Sequence, residues 1–191
     1  MIYRLKRAYV WLRRFTHLGG NGIQSPFAYS FACGVINNKS AYYAYTDLRK
    51  QLRSLSLRRR KLARLLFRLA NYAQPTTILV DEEVAGRYAT FLKRGCLKAK
   101  LVTISTNSYE HNATSYEHPL MIVTRSLDMT PTSLSDGDMV VALDIRRSAT
   151  SRKQWKALVA SPTTTQTFDL YNYGIAMVAT QRYKQHYIIN F

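Results

Sequence analysis

The texture of the chain changes abruptly at Pro75, and that change limits the folds open to it. Beyond Pro75 come short β-rich runs at Thr77–Val80, Leu101–Ser105, Leu120–Thr124 and Met139–Leu143, with helical stretches at Val84–Arg94 and Ser151–Ala160 between some of them. Strands alternating with helices build βαβ units and a mainly parallel sheet with helices on both faces. The end of the chain breaks that rhythm. Thr165–Thr180 and Tyr187–Phe191 read as two strands joined by a polar turn around Gln181-Arg182, and strands so close in sequence are expected to pair antiparallel.

Before Pro75 the pattern is helical. Ile2, Leu5, Tyr9, Leu12 and Phe15 recur at helical spacing among Arg4, Lys6, Arg7, Arg13 and Arg14, which predicts a basic amphipathic helix stopped by Gly19, Gly20 and Gly22. Ser25-Pro26 supplies an N-cap hydroxyl and a proline at the first helical position, opening a second helix to about Ile36. A third covers roughly Leu57–Tyr72, with Leu62, Leu65, Leu66, Leu69 and Ala73 on one stripe and Arg58, Arg59, Lys61, Arg64 and Arg68 opposite. Residues 1–74 thus read as a basic helical extension and residues 75–191 as the core on which it packs, one structural unit overall.

Charge follows the same division. Residues 1–70 hold 15 of the 28 Lys and Arg against a single acid, Asp47, a net +14 within a total of +17. Such asymmetry points to a polyanionic partner, either nucleic acid or an anionic membrane surface; the plainer alternative is a solvated helix face. If Arg4, Arg7, Arg13, Arg14, Arg58, Arg59, Arg60 and Arg64 share one surface, they are the expected polyanion contacts. Ten of the 23 aromatics lie in residues 1–45 among these arginines. They read first as packing onto the core and second as a stacking surface for bases. Arg and Lys interrupt every apolar run, so no transmembrane segment is expected. Cys33 and Cys96 form no paired pattern and no signal sequence opens the chain, which makes a cytoplasmic protein the expectation.

Several segments carry a resemblance. Gly22-Ile23-Gln24-Ser25-Pro26-Phe27 is similar to a Gly-Val-His-Ser-Pro-Phe segment, with Gln24 in place of histidine, of a bacterial family of class I S-adenosylmethionine-dependent methyltransferase-like proteins. Lys61–Pro75 resembles that family's helix before its first strand. Asp144-Ile145, Trp155 and Pro162 fall at the spacing of its fifth strand and following helix, and Asp169-Leu170, Gly174 and Tyr187–Phe191 resemble its closing hairpin. The resemblance implies a Rossmann-like α/β fold, and this chain reads as a shortened, degenerate member. The span from Thr106 to Asp138 is too short for the two βα units the fold usually places there. Fewer than seven strands are therefore expected, with the N-terminal helices covering the edge or face left open.

The same resemblance implies a cofactor site whose residues have been lost. The family's first strand ends in an acid followed by a glycine-rich turn; ungapped, Val80 takes the acidic place and Glu82 the first glycine place, and only Gly86 survives. A slip of one residue would put Asp81 at the strand end. The Asp81-Glu82-Glu83 cluster more simply suits the first turn of the following helix, where carboxylates favour the dipole. Ser105 follows the second strand, where the fold usually carries a ribose-binding acid. Asp81, Gly86, Ser105 and Asp144 are the remnant cofactor residues. No catalytic residue is assigned and no cofactor is expected, S-adenosylmethionine being the one implied if the ancestral site works.

Other chemistry is weaker. His111 and His118 with Glu110 and Glu117 form a seven-residue repeat with metal-binding residue types, in a segment that reads as a polar surface loop. Asp144 is expected to pair with its neighbours Arg146 and Arg147, and both cysteines to pack. The functional expectation is a noncatalytic methyltransferase-fold protein acting through its basic N-terminal surface on a polyanion or a protein partner. The alternatives are an active methyltransferase with an atypical site and a peripheral protein of anionic membranes.

Overall fold

The computed structural model of the chain describes residues 9, 12, 14, 21–104, 116–127 and 134–191. Ser25 accepts a hydrogen bond from the Ala28 amide and opens α1, Pro26–Phe31, with proline at its start. The helix does not run on as α to Ile36: Ala32–Ile36 is a π-helical turn. Two short helices follow, α2 (Ala44–Asp47) and α3 (Arg49–Ser54), then the long α4 (Leu57–Ala73). Gln74 ends α4 in a left-handed conformation, φ 42°, ahead of Pro75.

The sheet strands are β1 (Thr77–Asp81), β2 (Lys100–Ile104), β3 (Leu120–Thr124), β4 (Met139–Leu143), β5 (Gln166–Asp169), β6 (Tyr173–Met177) and β7 (Gln185–Ile188). Helix α5 (Glu82–Gly95) links β1 to β2, and α6 (Ala149–Ala160) follows β4. The order across the sheet is β2-β1-β3-β4-β6-β5-β7. The first four strands are parallel, while β6 is antiparallel to both β4 and β5.

Two expectations are corrected. The sheet has seven strands, because the stretch read as one strand, Thr165–Thr180, holds two, β5 and β6; beyond β2, no further strand lies among the described residues. The antiparallel hairpin is also placed differently. It is β5–β6, turning at Leu170–Asn172 inside the stretch read as one strand, and the last strand bypasses β6 to pair with β5.

Alternation along the strands builds two cores. Ile78, Val80, Met121, Val123, Val141 and Ile175 face a large cluster into which α1, the π-turn, α3, α4 and α5 bury Phe31, Ile36, Leu52, Leu65, Leu66 and Phe91. On the other face Leu79, Ile122, Val140 and Ala142 meet Trp155 and Leu158 of α6. The N-terminal helices therefore cover a sheet face and share its core. Of the seven described aromatics before residue 46, four pack inward, among them Phe31 against Phe168 and Tyr72, and Tyr42 and Tyr45 against Phe67; Tyr9, Tyr29 and Tyr43 are exposed.

Candidate functional site

Parallel pairing brings the carboxyl ends of β1 to β4 to one end of the sheet, where open α/β sheets place their ligands. A cleft of about 570 Å³ opens there, lined by Asp81, Glu82, Glu83, Ile104, Arg125, Ser126 and Arg147. The strand-end acid is Asp81. Val80 faces the helix-covered core, completely buried. Asp81 Oδ2 accepts hydrogen bonds from Thr124 Oγ1 at 3.0 Å and the Arg125 amide at 2.6 Å, stapling the end of β1 to the end of β3.

β1 passes into α5 without an intervening loop, since Asp81 is the N-cap and Glu82 and Glu83 occupy the first turn. Gly86 lies within α5, on an exposed stretch, and a Cβ added there would meet open space. It makes no close approach to the cleft. Ser105 is outside the described residues.

Arg125 is the residue that sequence reasoning missed. Its guanidinium pairs with Glu83 Oε1 through Nη1 and lies 3.6 Å from Asp144 Oδ2 through Nε, so it spans from β3 to α5 and to the end of β4. The hydrogen bond from Arg125 holds the Glu83 carboxyl below the usual carboxylate range. Asp144, in a left-handed conformation with φ 54°, also pairs with Arg58 Nη2 at 3.0 Å. The expected local pairs with Arg146 and Arg147 are corrected: Arg146 bonds Asp169 at 2.6 Å, and Arg147 lines the cleft.

The eight arginines assigned to polyanion contact divide. Arg4, Arg7 and Arg13 are outside the described residues. Arg14 is turned inward, its Nη1 3.1 Å from Asp169 Oδ1, and it stacks with Arg146 on the Tyr171 ring. Arg60 donates to the Leu52 and Leu55 carbonyls at the end of α3. Arg59 and Arg64 are exposed on α4. Arg68, read as surface, is buried, its Nε and Nη2 donating to the Val35 and Ile36 carbonyls.

His118 Nδ1 lies 2.9 Å from Asp138 Oδ1, away from the cleft, and the described residues hold no cluster of three or more metal-ligand side chains; His111 and Glu110 lie outside them. Cys96 is buried against Gln74 and Pro75.

Four parallel strands opening on a cleft, with an antiparallel strand inserted beside the last of them, make this a Rossmann-like α/β fold. No protein-family model and no curated protein matches the sequence. Among solved structures, the chain is similar to the SAH-bound methyltransferase PaMTH1 of Podospora anserina, at 10% identity over 82% of this chain and 97% of that one, with a TM-score of 0.48. It is also similar to the O-methyltransferase from Bacillus cereus in complex with SAH, at 13% identity over 79% and 96%, with a TM-score of 0.47.

The cleft is large enough for a small-molecule ligand. The described residues nevertheless do not fit S-adenosylmethionine. Asp81 is already engaged by Thr124 and Arg125, and no glycine turn separates β1 from α5.

Proposed function

We propose that this is a noncatalytic methyltransferase-fold protein that acts by binding, with the cationic face of α3 and α4 as its contact surface for a polyanion, nucleic acid foremost. One observation carries the reading: Lys39, Arg49, Lys50, Arg53, Arg59, Lys61 and Arg64 are all exposed, and Asp47, the one acid in that stretch, is paired with Arg94 at 3.5 Å. A single-sign surface of this kind binds phosphates by releasing their counterions. The cytoplasm is the compartment expected for such a partner. No helix among the described residues is long and apolar enough to cross a membrane.

The test is retention on heparin and RNA across a salt series. Binding should fall steeply with salt, and replacing Arg53, Arg59 and Arg64 together by Ser should weaken it. Negligible retention of the wild type at about 0.15 M salt, where the Debye length is about 8 Å, would reduce the face to a solvated surface. Anionic vesicles form the second arm, and preferential capture by them favours the membrane alternative. Titration with S-adenosylmethionine decides the noncatalytic half: no binding below millimolar concentration is expected. Micromolar binding would move the protein to the active methyltransferases, a reading that the volume of the cleft supports.

A further inference from the structure

A cavity of about 250 Å³ lies on the sheet face that α6 covers, opposite α4, and shares no lining residue with the strand-end cleft. Ile145, Trp155, Val159 and Ala160 give it apolar walls, and His186 of β7 stands across from α6. The Trp155 and His186 rings are 6.5 Å apart and tilted by 55°. His186 Nδ1 lies 2.8 Å from Thr167 Oγ1, which orients the imidazole, and burial lowers its pKa, so the ring is neutral near pH 7 and adds no charge to the wall.

Charge enters from one side. Arg152 and Lys156 stand one turn apart on α6, flanking Trp155; both are exposed, and neither has an acidic partner among the described residues. Like charges at this spacing repel on a helix, so an anion shared between them is stabilising. The acid among the described lining residues, Asp169, is already engaged by Arg14 and Arg146, and its charge is compensated. An apolar chamber with unpaired cations at its rim suits a ligand with an apolar body and one anionic end. The volume of about 250 Å³ equals that of about eight liquid waters, room for a ligand of about ten heavy atoms. We infer that this cavity binds a compact monocarboxylate, aliphatic or aromatic, its body against Trp155 and Val159 and its carboxylate on Arg152 and Lys156. None of these residues belongs to α3 or α4, so the site stands or falls apart from the polyanion surface.

Trp155 is the reporter. In the full chain carrying Trp11→Phe it is the single tryptophan, and its emission is followed during titration with octanoate and 3-phenylpropionate beside their uncharged amides. The carboxylates should saturate at about 0.1 mM and the amides about tenfold higher, as a charge-assisted contact at an exposed rim requires. Arg152→Ala with Lys156→Ala should bring the carboxylates down to the level of the amides and leave the amides unchanged. Ala160→Phe, which fills the chamber without touching a charge, should abolish binding of all four; the melting temperature reports that both variants fold. Tighter binding of octanoate identifies a fatty-acid site and of 3-phenylpropionate an aromatic-acid site, and either supports the inference. No saturable change at millimolar concentrations, equal binding of acid and amide, or binding that survives Ala160→Phe overturns it.

Discussion

Arg68 sits among the buried leucines of α4 and is itself buried, because it satisfies two carbonyls that the π-turn leaves without helical partners. Arg68→Met keeps the length and apolar stem but orphans Val35 O and Ile36 O. It should cost about 2–5 kcal/mol, read as a lower denaturant midpoint at unchanged slope. Tyr88, with Tyr45 and Tyr72, contributes to the alkaline pH dependence. Burial pushes its phenol up, so the folded state holds a proton that the unfolded state releases near its ordinary value of about 10. Stability is therefore full below that value and declines as pH rises through it, and Tyr88→Phe should flatten the decline in melting temperature between about pH 9.5 and 11. At this scale the sequence was legible where chemistry is local: Ser25 and Pro26 announce a helix start, and the acids after β1 announce the first turn of α5. Arg68 was misread because helical periodicity places it beside the other arginines, and only a chain crossing over α4 reveals two carbonyls waiting for it. Arg125 left a single faint signal, a cation directly after a buried strand; its partners Glu83 and Asp144 are distant in sequence.

Between elements, glycines record where surfaces touch. A Cβ on Gly95 would lie 2.4 Å from the Phe67 carbonyl oxygen, so α5 meets the backbone of α4 at that point. On the opposite face, Trp155 of α6 lies against Gly174 of β6, 2.5 Å from the place of a Cβ. Gly95→Ala and Gly174→Ala should each cost about 1–3 kcal/mol by overpacking. Gly86→Ala, in open space within the same α5, should stabilise by about 0.5–1 kcal/mol. Thermal melts of the three variants check the contrast; a destabilising Gly86→Ala would mean that its surroundings are not open. Strands β1, β3 and β4 could be read because each is a buried run of β-branched and apolar residues. The β5–β6 turn could not: it contains neither Gly nor Pro at Leu170–Asn172. Asp169 Oδ1 instead accepts from the Tyr171 amide, and Tyr171 takes φ 72°, a turn built on a side chain that also serves Arg14 and Arg146.

Across the whole molecule, the helical layer and the sheet share one core, and Asp169 is the knot between them. Its carboxylate receives Arg14 from the N-terminal segment and Arg146 from the loop after β4 while it caps its own turn. Asp169→Asn leaves two guanidiniums facing a neutral group, one of them largely buried, and should cost about 3 kcal/mol or more, read by denaturant unfolding with Arg14→Ala as the companion variant. The seventh strand was not countable from the sequence, since the break that divides Thr165–Thr180 into β5 and β6 carries no turn residue, whereas the exposed β7 was read two residues late as Tyr187–Phe191. The contact of Phe31 with Phe168 has a further consequence, one of timing. A ring in the first described helix finds its partner only after more than half the chain has followed it out of the ribosome. Until then the side of the ring that meets Phe168 stays open to holding chaperones and proteases, with Tyr72 of α4 against its other side.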